Sequence, residues 1–253
     1  MAGREALAKQ EAEPCSLPAR ALFDFARIFW HSVKQNIHPK NGGHVQKKCV
    51  WCNRRLFEKR IIHETKEFYL IAALGQITDG GHVLVVPKRH ILCMGEVRDE
   101  VPMNRFVMQV RRAVTWGYRK SNARDPLALS TIMFEDARQS RSGTHACLHI
   151  MPTRLKIEEA ILDRYPRLAL EELRPRETIQ QAYQERPEPY LYWTSHYGYR
   201  TVYWDPPASM PSLRRVVATL HGVPERGDWR MTEPAHDEML WRQTMARLKA
   251  YFI

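Results

Sequence analysis

The sequence predicts an α+β protein in which an antiparallel sheet packs on one long helix. Three observations lead there. Four short runs have strand length and strand composition: Phe68-Tyr69-Leu70-Ile71, Val83-Leu84-Val85-Val86, Thr131-Ile132-Met133-Phe134 and His145 to Met151. Between the second and third, Pro102 sits where a helix can begin, and Met103, Phe106, Val107, Val110, Ala113 and Val114 follow at helical spacing to about Tyr118. The strands are not each followed by a crossover helix, which argues against a doubly wound parallel sheet.

Taken in order, residues 1–18 read as a polar leader. Pro18 then opens a helical pattern in which Leu22, Phe23, Ala26, Ile28 and Phe29 form an apolar side to about Val33. Asn36 to Lys48, with Pro39 and Gly42-Gly43, reads as a basic loop. Strands and turns occupy the chain from Cys49 to Met151. After Pro152, residues 154–185 are charged and predict mostly helix. Tyr190, Tyr192, Trp193, Tyr197, Tyr199, Tyr203 and Trp204 then crowd around Gly198 as an aromatic hairpin. Leu213 to Leu220 predicts a short helix stopped at Gly222. Thr232 and Pro234 are placed to cap and start a last helix carrying Met239, Leu240, Trp241, Met245 and Leu248. Three parts follow: an N-terminal helix and basic loop (1–48), a sheet domain (49–153) and a C-terminal α/β extension (154–253).

At 253 residues, 44% of them hydrophobic and 26% charged, the composition is that of a folded chain and not of a disordered one. The net charge of +11 is uneven, because residues 1–150 hold 24 Lys/Arg against 14 Asp/Glu while the remainder holds 15 against 14. Lys34, Lys40, Lys47, Lys48, Arg54, Arg55, Lys59 and Arg60 are opposed between them only by Glu58. Such a stretch attracts phosphates of a nucleotide, a nucleic acid or an anionic membrane, or serves as a solvated face. No apolar run approaches the ~18 residues of a membrane span. With no secretory leader in view and an odd count of five cysteines, the expected setting is cytoplasmic and reducing.

Three segments carry chemistry. In a strand, a period of two sends His145, Cys147, His149 and Met151 to one face and Ala146, Leu148 and Ile150 to the other; the second set is core, and the first is either a reactive surface or a set of ordinary edge residues. Just upstream, Arg141, Ser142, Gly143 and Thr144 are small and donor-rich, suited to close approach by a phosphate. Cys49-Val50-Trp51-Cys52 is a C-x-x-C pair, which grips a zinc ion, works as a redox site, or simply packs two thiols. The third segment is Gly81-His82-Val83-Leu84-Val85-Val86-Pro87-Lys88-Arg89-His90.

Taken in chain order as Cys49/Cys52, Gly81–His90 and His145–His149, these three segments resemble the histidine-triad (HIT) superfamily of nucleotide-binding proteins over about residues 49–153, with Phe134-Glu135-Asp136 where relatives have a similar strand end. The resemblance implies a HIT-like antiparallel sheet. In its zinc-bearing branch, which includes galactose-1-phosphate uridylyltransferase-like enzymes, one structural zinc is held at the positions matched by Cys49, Cys52, His90 and His145. It implies hydrolysis or nucleotidyl transfer on a nucleotide or dinucleoside polyphosphate, with the middle triad residue as nucleophile, and relatives often form homodimers. Here the nucleophile's place holds Cys147, while His149 keeps the third position and, with Arg141 to Thr144, steadies the phosphate oxygens. Three readings of Cys147 stay open: catalysis lost with binding retained; thiolate attack, aided by Arg138, Arg141 or His149; or water activated by zinc or His149. His82 and Lys88 are reserve candidates. The segment Pro211–Gly222 followed by Asp228–Arg230 is similar to the tails of some bacterial HIT-like proteins. A HIT-like domain with a degraded triad also occurs in splicing-associated proteins that assist RNA debranching, which gives the basic stretch and the aromatic hairpin an RNA-binding reading, without catalysis, as the alternative function.

Overall fold

The computed structural model describes residues 49–119, 130–138, 145–156, 158–166, 170–195 and 197–252. The N-terminal helix, the basic loop to Lys48 and the donor-rich Arg141, Ser142, Gly143 and Thr144 therefore lie outside the described residues. Eight strands form one sheet: β1 (Ile61–Glu64), β2 (Phe68–Ala72), β3 (Val83–Pro87), β4 (Ser130–Asp136), β5 (Leu148–Thr153), β6 (Leu170–Glu172), β7 (Tyr190–Thr194) and β8 (Arg200–Trp204). Their order across the sheet is β1-β2-β3-β5-β4-β7-β8-β6, with every neighbouring pair antiparallel. Among the described residues five α-helices accompany it: α1 (Glu100–Tyr118), α2 (Glu158–Leu162), α3 (Ile179–Glu185), α4 (Leu213–Leu220) and α5 (Pro234–Leu248). The fold class is α+β, and α1 is its long helix.

Both faces of the sheet are covered, which is why β3 reads as an unbroken apolar run. Val83 and Val85 face the cluster under α1, with Leu148, Ile150 and the helix's Met103, Phe106, Val107, Val110 and Val114. Leu84 and Val86 face the opposite side with Phe57 and Ile71. Further along that opposite side, Ile132, Phe134, Met151, Leu191, Trp193 and Tyr203 lie under Leu213, Val216 and Val217 of α4. The sheet continues past residue 153, because β7 of the aromatic hairpin pairs with β4 (Phe134↔Trp193, Glu135↔Tyr192, Asp136↔Leu191).

Helix α1 begins two residues before the expected Pro102, which a first turn tolerates because its N–H groups have no helical partner. Helix α4 occupies its predicted span, capped by Ser212 and followed by Gly222 at φ +74°. Three expectations need correction. The strand expected from His145 starts at Leu148, because the Ala146 N–H donates to Ile91 O at 2.8 Å, outside the ladder, and pairing with β3 begins at Val85↔Leu148. Within residues 154–185, expected mostly helical, the polar strand β6 adds an outer rung to β8. Helix α5 starts at Pro234 as expected, but its cap is Glu233, whose carboxylate accepts from the N–H groups of Ala235 and His236, and not Thr232.

Candidate functional site

Four donors meet at one corner of the sheet. Cys49 and Cys52 flank a tight turn closed by Cys52 N–H donating to Cys49 O at 3.2 Å. His90 follows the turn that leaves β3, and His145 precedes β5, so two segments remote in sequence deliver the imidazoles. Cys49 Sγ lies 3.4 Å and Cys52 Sγ 3.6 Å from His145 Nδ1, and Cys52 Sγ lies 3.2 Å from His90 Nδ1. The ligand atoms all fall within 4.8 Å of one another. Metal–sulfur and metal–nitrogen bonds of about 2.3 and 2.0 Å in a tetrahedron set sulfur and nitrogen about 3.6 Å apart, so these spacings suit one shared ion. The outer contact agrees. His145 Nε2 lies 2.7 Å from Pro87 O and donates to it, which leaves Nδ1 bare toward the thiols. Burial lowers the His145 pKa to about 4, so the ring is a neutral ligand at ordinary pH. Burial, and then the neighbouring Cys49, push the Cys52 thiol up to about 12, a position that a cation between the sulfurs would relieve. Cys49, Cys52, His90 and His145 can hold a metal ion.

A second site lies next along the chain. Facing pairs place Ile71, Leu84, His149, Phe134 and Trp193 in one row across five strands, on the side away from α1. His149 is thus a polar residue at the seam between two apolar clusters. Its ring stacks on Phe134 with centroids 4.5 Å apart and planes 10° apart. Its Nδ1 lies 2.9 Å from Nε2 of the fully buried His82.

The protons in this pair are fixed by the backbone. Ile77 N–H donates to His82 Nδ1 at 3.3 Å, so the proton of neutral His82 sits on Nε2 and is donated to His149 Nδ1. The proton of His149 must then be on Nε2, where the polar neighbour is Cys147 Sγ at 3.8 Å. Burial holds the pKa values of both histidines well below the usual imidazole value, with nearby charge acting the same way, so both rings stay neutral. Burial also pushes the Cys147 thiol up to about 12, with Glu135 adding to it and Arg214 opposing it.

The loop joining β2 to β3 carries His82 and is held from the C-terminal part of the chain. Asp237 accepts from Gly75 N–H at 2.9 Å and pairs with Arg60 at 2.5 Å. Thr244 Oγ1 accepts from Gly81 N–H at 2.9 Å, and the Gln76 amide bridges Ala73 O and His82 O. Gly75, at φ +59°, has no room for a side chain, since a Cβ would meet Trp229 and Thr232 within 3 Å.

Of the residues singled out in the sequence, the structure gathers the four metal donors in one place and Cys147 with His149 in another. His82 proves to be the partner of His149. Lys88 is engaged elsewhere, paired with Glu64 at 2.8 Å and lying over Tyr69. Arg138 is tied to Asp136 and to the carbonyls of Pro207 and Met210, and among the described residues the cation acting on Cys147 is Arg214. Arg214 and Asp237 had no sequence signal that set them apart from other charges on amphipathic helices.

With this geometry in place, comparison with known proteins adds the family. A family model described as "Protein similar to CwfJ C-terminal", which is HIT-related, matches residues 36–165, just over half the chain. The chain belongs to that family. The matched CwfJ C-terminal-like span holds both cysteines of the pair, His82, His90, His145, Cys147 and His149, and ends before α4 and α5. Two solved structures are similar at low identity. One is a Hit-like protein involved in cell-cycle regulation from Bartonella henselae, 18% identical over 37% of this chain and 67% of that one, with a TM-score of 0.28. The other is a hypothetical histidine triad nucleotide-binding protein from Sulfolobus tokodaii, 16% identical over 80% of this chain and 93% of that one, with a TM-score of 0.34. No curated protein matches. No helix among the described residues is long and apolar enough to cross a membrane.

Proposed function

We propose that this chain is a zinc-stapled, HIT-like protein whose seam binds a nucleotide-type phosphate, with the nucleophile's position disabled. Two thiols and two imidazoles form the donor set that Zn²⁺ prefers over harder cations, and a full set of four protein donors belongs to a structural ion. Bound there, zinc cross-links the turn at Cys49 to the two strand ends.

The observation that carries the phosphate reading is the proton relay through His82, which leaves His149 with an Nε2–H donor and, among the described residues, only a thiol to receive it. A phosphate oxygen is the acceptor that this donor lacks. The same relay makes His149 a poor general base at that nitrogen. Cys147 packs against the cluster of Phe57, Ile71, Leu84 and Val86, where a thiolate is not stabilised. Binding without turnover follows. AMP and a dinucleoside polyphosphate should bind saturably to the full chain, lose that binding in His149→Phe, and emerge uncleaved; Cys147→His should introduce turnover. Thiolate attack, the alternative chemistry, predicts a nucleotidyl adduct on Cys147 in the intact mass.

One observation favours a second reading, single-stranded RNA as ligand. Five of the seven hairpin aromatics are buried, but Tyr197 and Tyr199 are 68% and 60% exposed at its tip, with Lys156 over Tyr197. RNA binding that is strongly salt-dependent, unchanged by Cys147→Ala and weakened by Tyr199→Ala would support it.

A further inference from the structure

We infer that Arg214, in the C-terminal extension, is the charged half of an oxyanion subsite at the histidine seam, where it and His149 together bind a phosphate group. The inference rests on the phosphate reading of the seam and names the residue that supplies its charge.

Arg214 is the second residue of α4, whose Leu213, Val216 and Val217 pack over Phe134 and Trp193, the same row that contains His149. One terminal nitrogen donates to the carbonyls of Leu74 (3.0 Å), Gly75 and Arg226 (2.9 Å). Those bonds seat the guanidinium against the loop that carries His82. Its Nε–H is buried and, among the described residues, has no acceptor. Among the described residues no carboxylate forms a direct ion pair with it; Asp237, paired with Arg60, and Asp228, paired with Arg230, act on it only from a distance. The positive charge acts on Cys147, His149 and His82 alike.

A largely buried guanidinium with an idle N–H and no carboxylate in direct contact is a costly arrangement. A purely structural clamp accounts for the three carbonyl bonds but not for the idle Nε–H of a charge that lacks a direct partner. At the same seam, His149 offers a second N–H without a strong acceptor. Two donors and one full positive charge beside neutral imidazoles suit a group with several anionic oxygens, a phosphate ion or the phosphate of a nucleotide.

The test uses the full chain with inorganic phosphate and, separately, AMP, each against chloride at equal ionic strength, and reads thermal stabilisation and ³¹P NMR titration. The wild type should bind both. Arg214→Lys, which keeps the charge and a donor for the carbonyls but removes Nε–H, should remain folded and bind at least tenfold more weakly; Arg214→Met should abolish the stabilisation. Tighter binding of AMP than of phosphate assigns the subsite to a nucleotide, and equal binding to a free oxyanion; either supports the inference. Wild-type binding that disappears in His149→Phe yet is unchanged in Arg214→Lys would overturn the role of Arg214 alone. A wild type that binds neither ligand overturns the phosphate reading of the seam and this inference with it.

Discussion

The cysteine corner and the histidine seam stand on either side of Cys147, and they are built on opposite principles. At the corner four donors converge with nothing missing, and the backbone carbonyl of Pro87 turns His145 toward the thiols. At the seam the donors are in excess: among the described residues, His149 and Arg214 each hold an N–H without a strong acceptor. The first arrangement is closed and suits an ion that stays. Under the proposed function, the second takes an anion that comes and goes. The source of rigidity differs too, since the corner is held by its own ligands whereas the seam depends on a loop fastened by residues some 160 positions away.

The largest expected effect falls on the corner. Cys52→Ala, or removal of metal by a chelator, should lower unfolding stability by more than about 4 kcal/mol, with stoichiometric zinc in the wild type and none in the variant by elemental analysis. An unchanged melting temperature on chelation would break the contrast between a permanent ion and an exchangeable anion. Next comes the fastening of the loop. Asp237→Ala leaves Arg60 and two backbone N–H groups without their acceptor. A loss of about 3 kcal/mol by urea unfolding is expected, together with altered His149 NMR signals and weaker phosphate binding. If stability falls while the His149 signals stay put, the seam does not depend on the distant clamp.

An effect of comparable size, spread over pH, is expected from acid. The folded pKa values of His82 and His149 lie well below the imidazole value of an unfolded chain, about 6.5. Above that pH both states are neutral and the pair contributes no slope. Below it the unfolded chain takes up protons that the folded one refuses, so stability falls with acidity by up to about 1.4 kcal/mol per pH unit for each histidine. Urea titrations between pH 7 and 5 should show this, with a shallower slope in His82→Phe. The smallest effect is that of Cys147→Ser, which places a hydroxyl against the apolar cluster and should cost on the order of 1 kcal/mol by the same titration.

The corner was legible in the sequence and the seam only in part, for a physical reason. The C-x-x-C pair by itself admits ligation, redox work or packing, and what makes the four donors legible is the HIT resemblance, which matches them to one zinc site. Likewise β3, α1 and the aromatic hairpin carry periodicities that burial enforces. His149 was visible through the alternating His145-Cys147-His149 pattern, but its tautomer depends on a backbone N–H at Ile77 acting through His82, which no spacing reveals. Arg214 resembled any cation on an amphipathic helix until the fold brought Leu74 and Gly75 beneath it. The short, polar β1 and β6 lacked an apolar alternation, and the early start expected for β5 came from following that alternation through residues whose backbone bonds lie elsewhere.

The fixed proton on His149 is the claim on which the seam depends, and ¹⁵N-resolved NMR of the histidine rings tests it directly during a titration with AMP. The predicted result is a neutral His149 protonated at Nε2 throughout pH 5.5–8, whose Nε2–H signal moves saturably as AMP binds. A proton found on Nδ1, or an Nε2–H signal that AMP leaves untouched, would contradict the account.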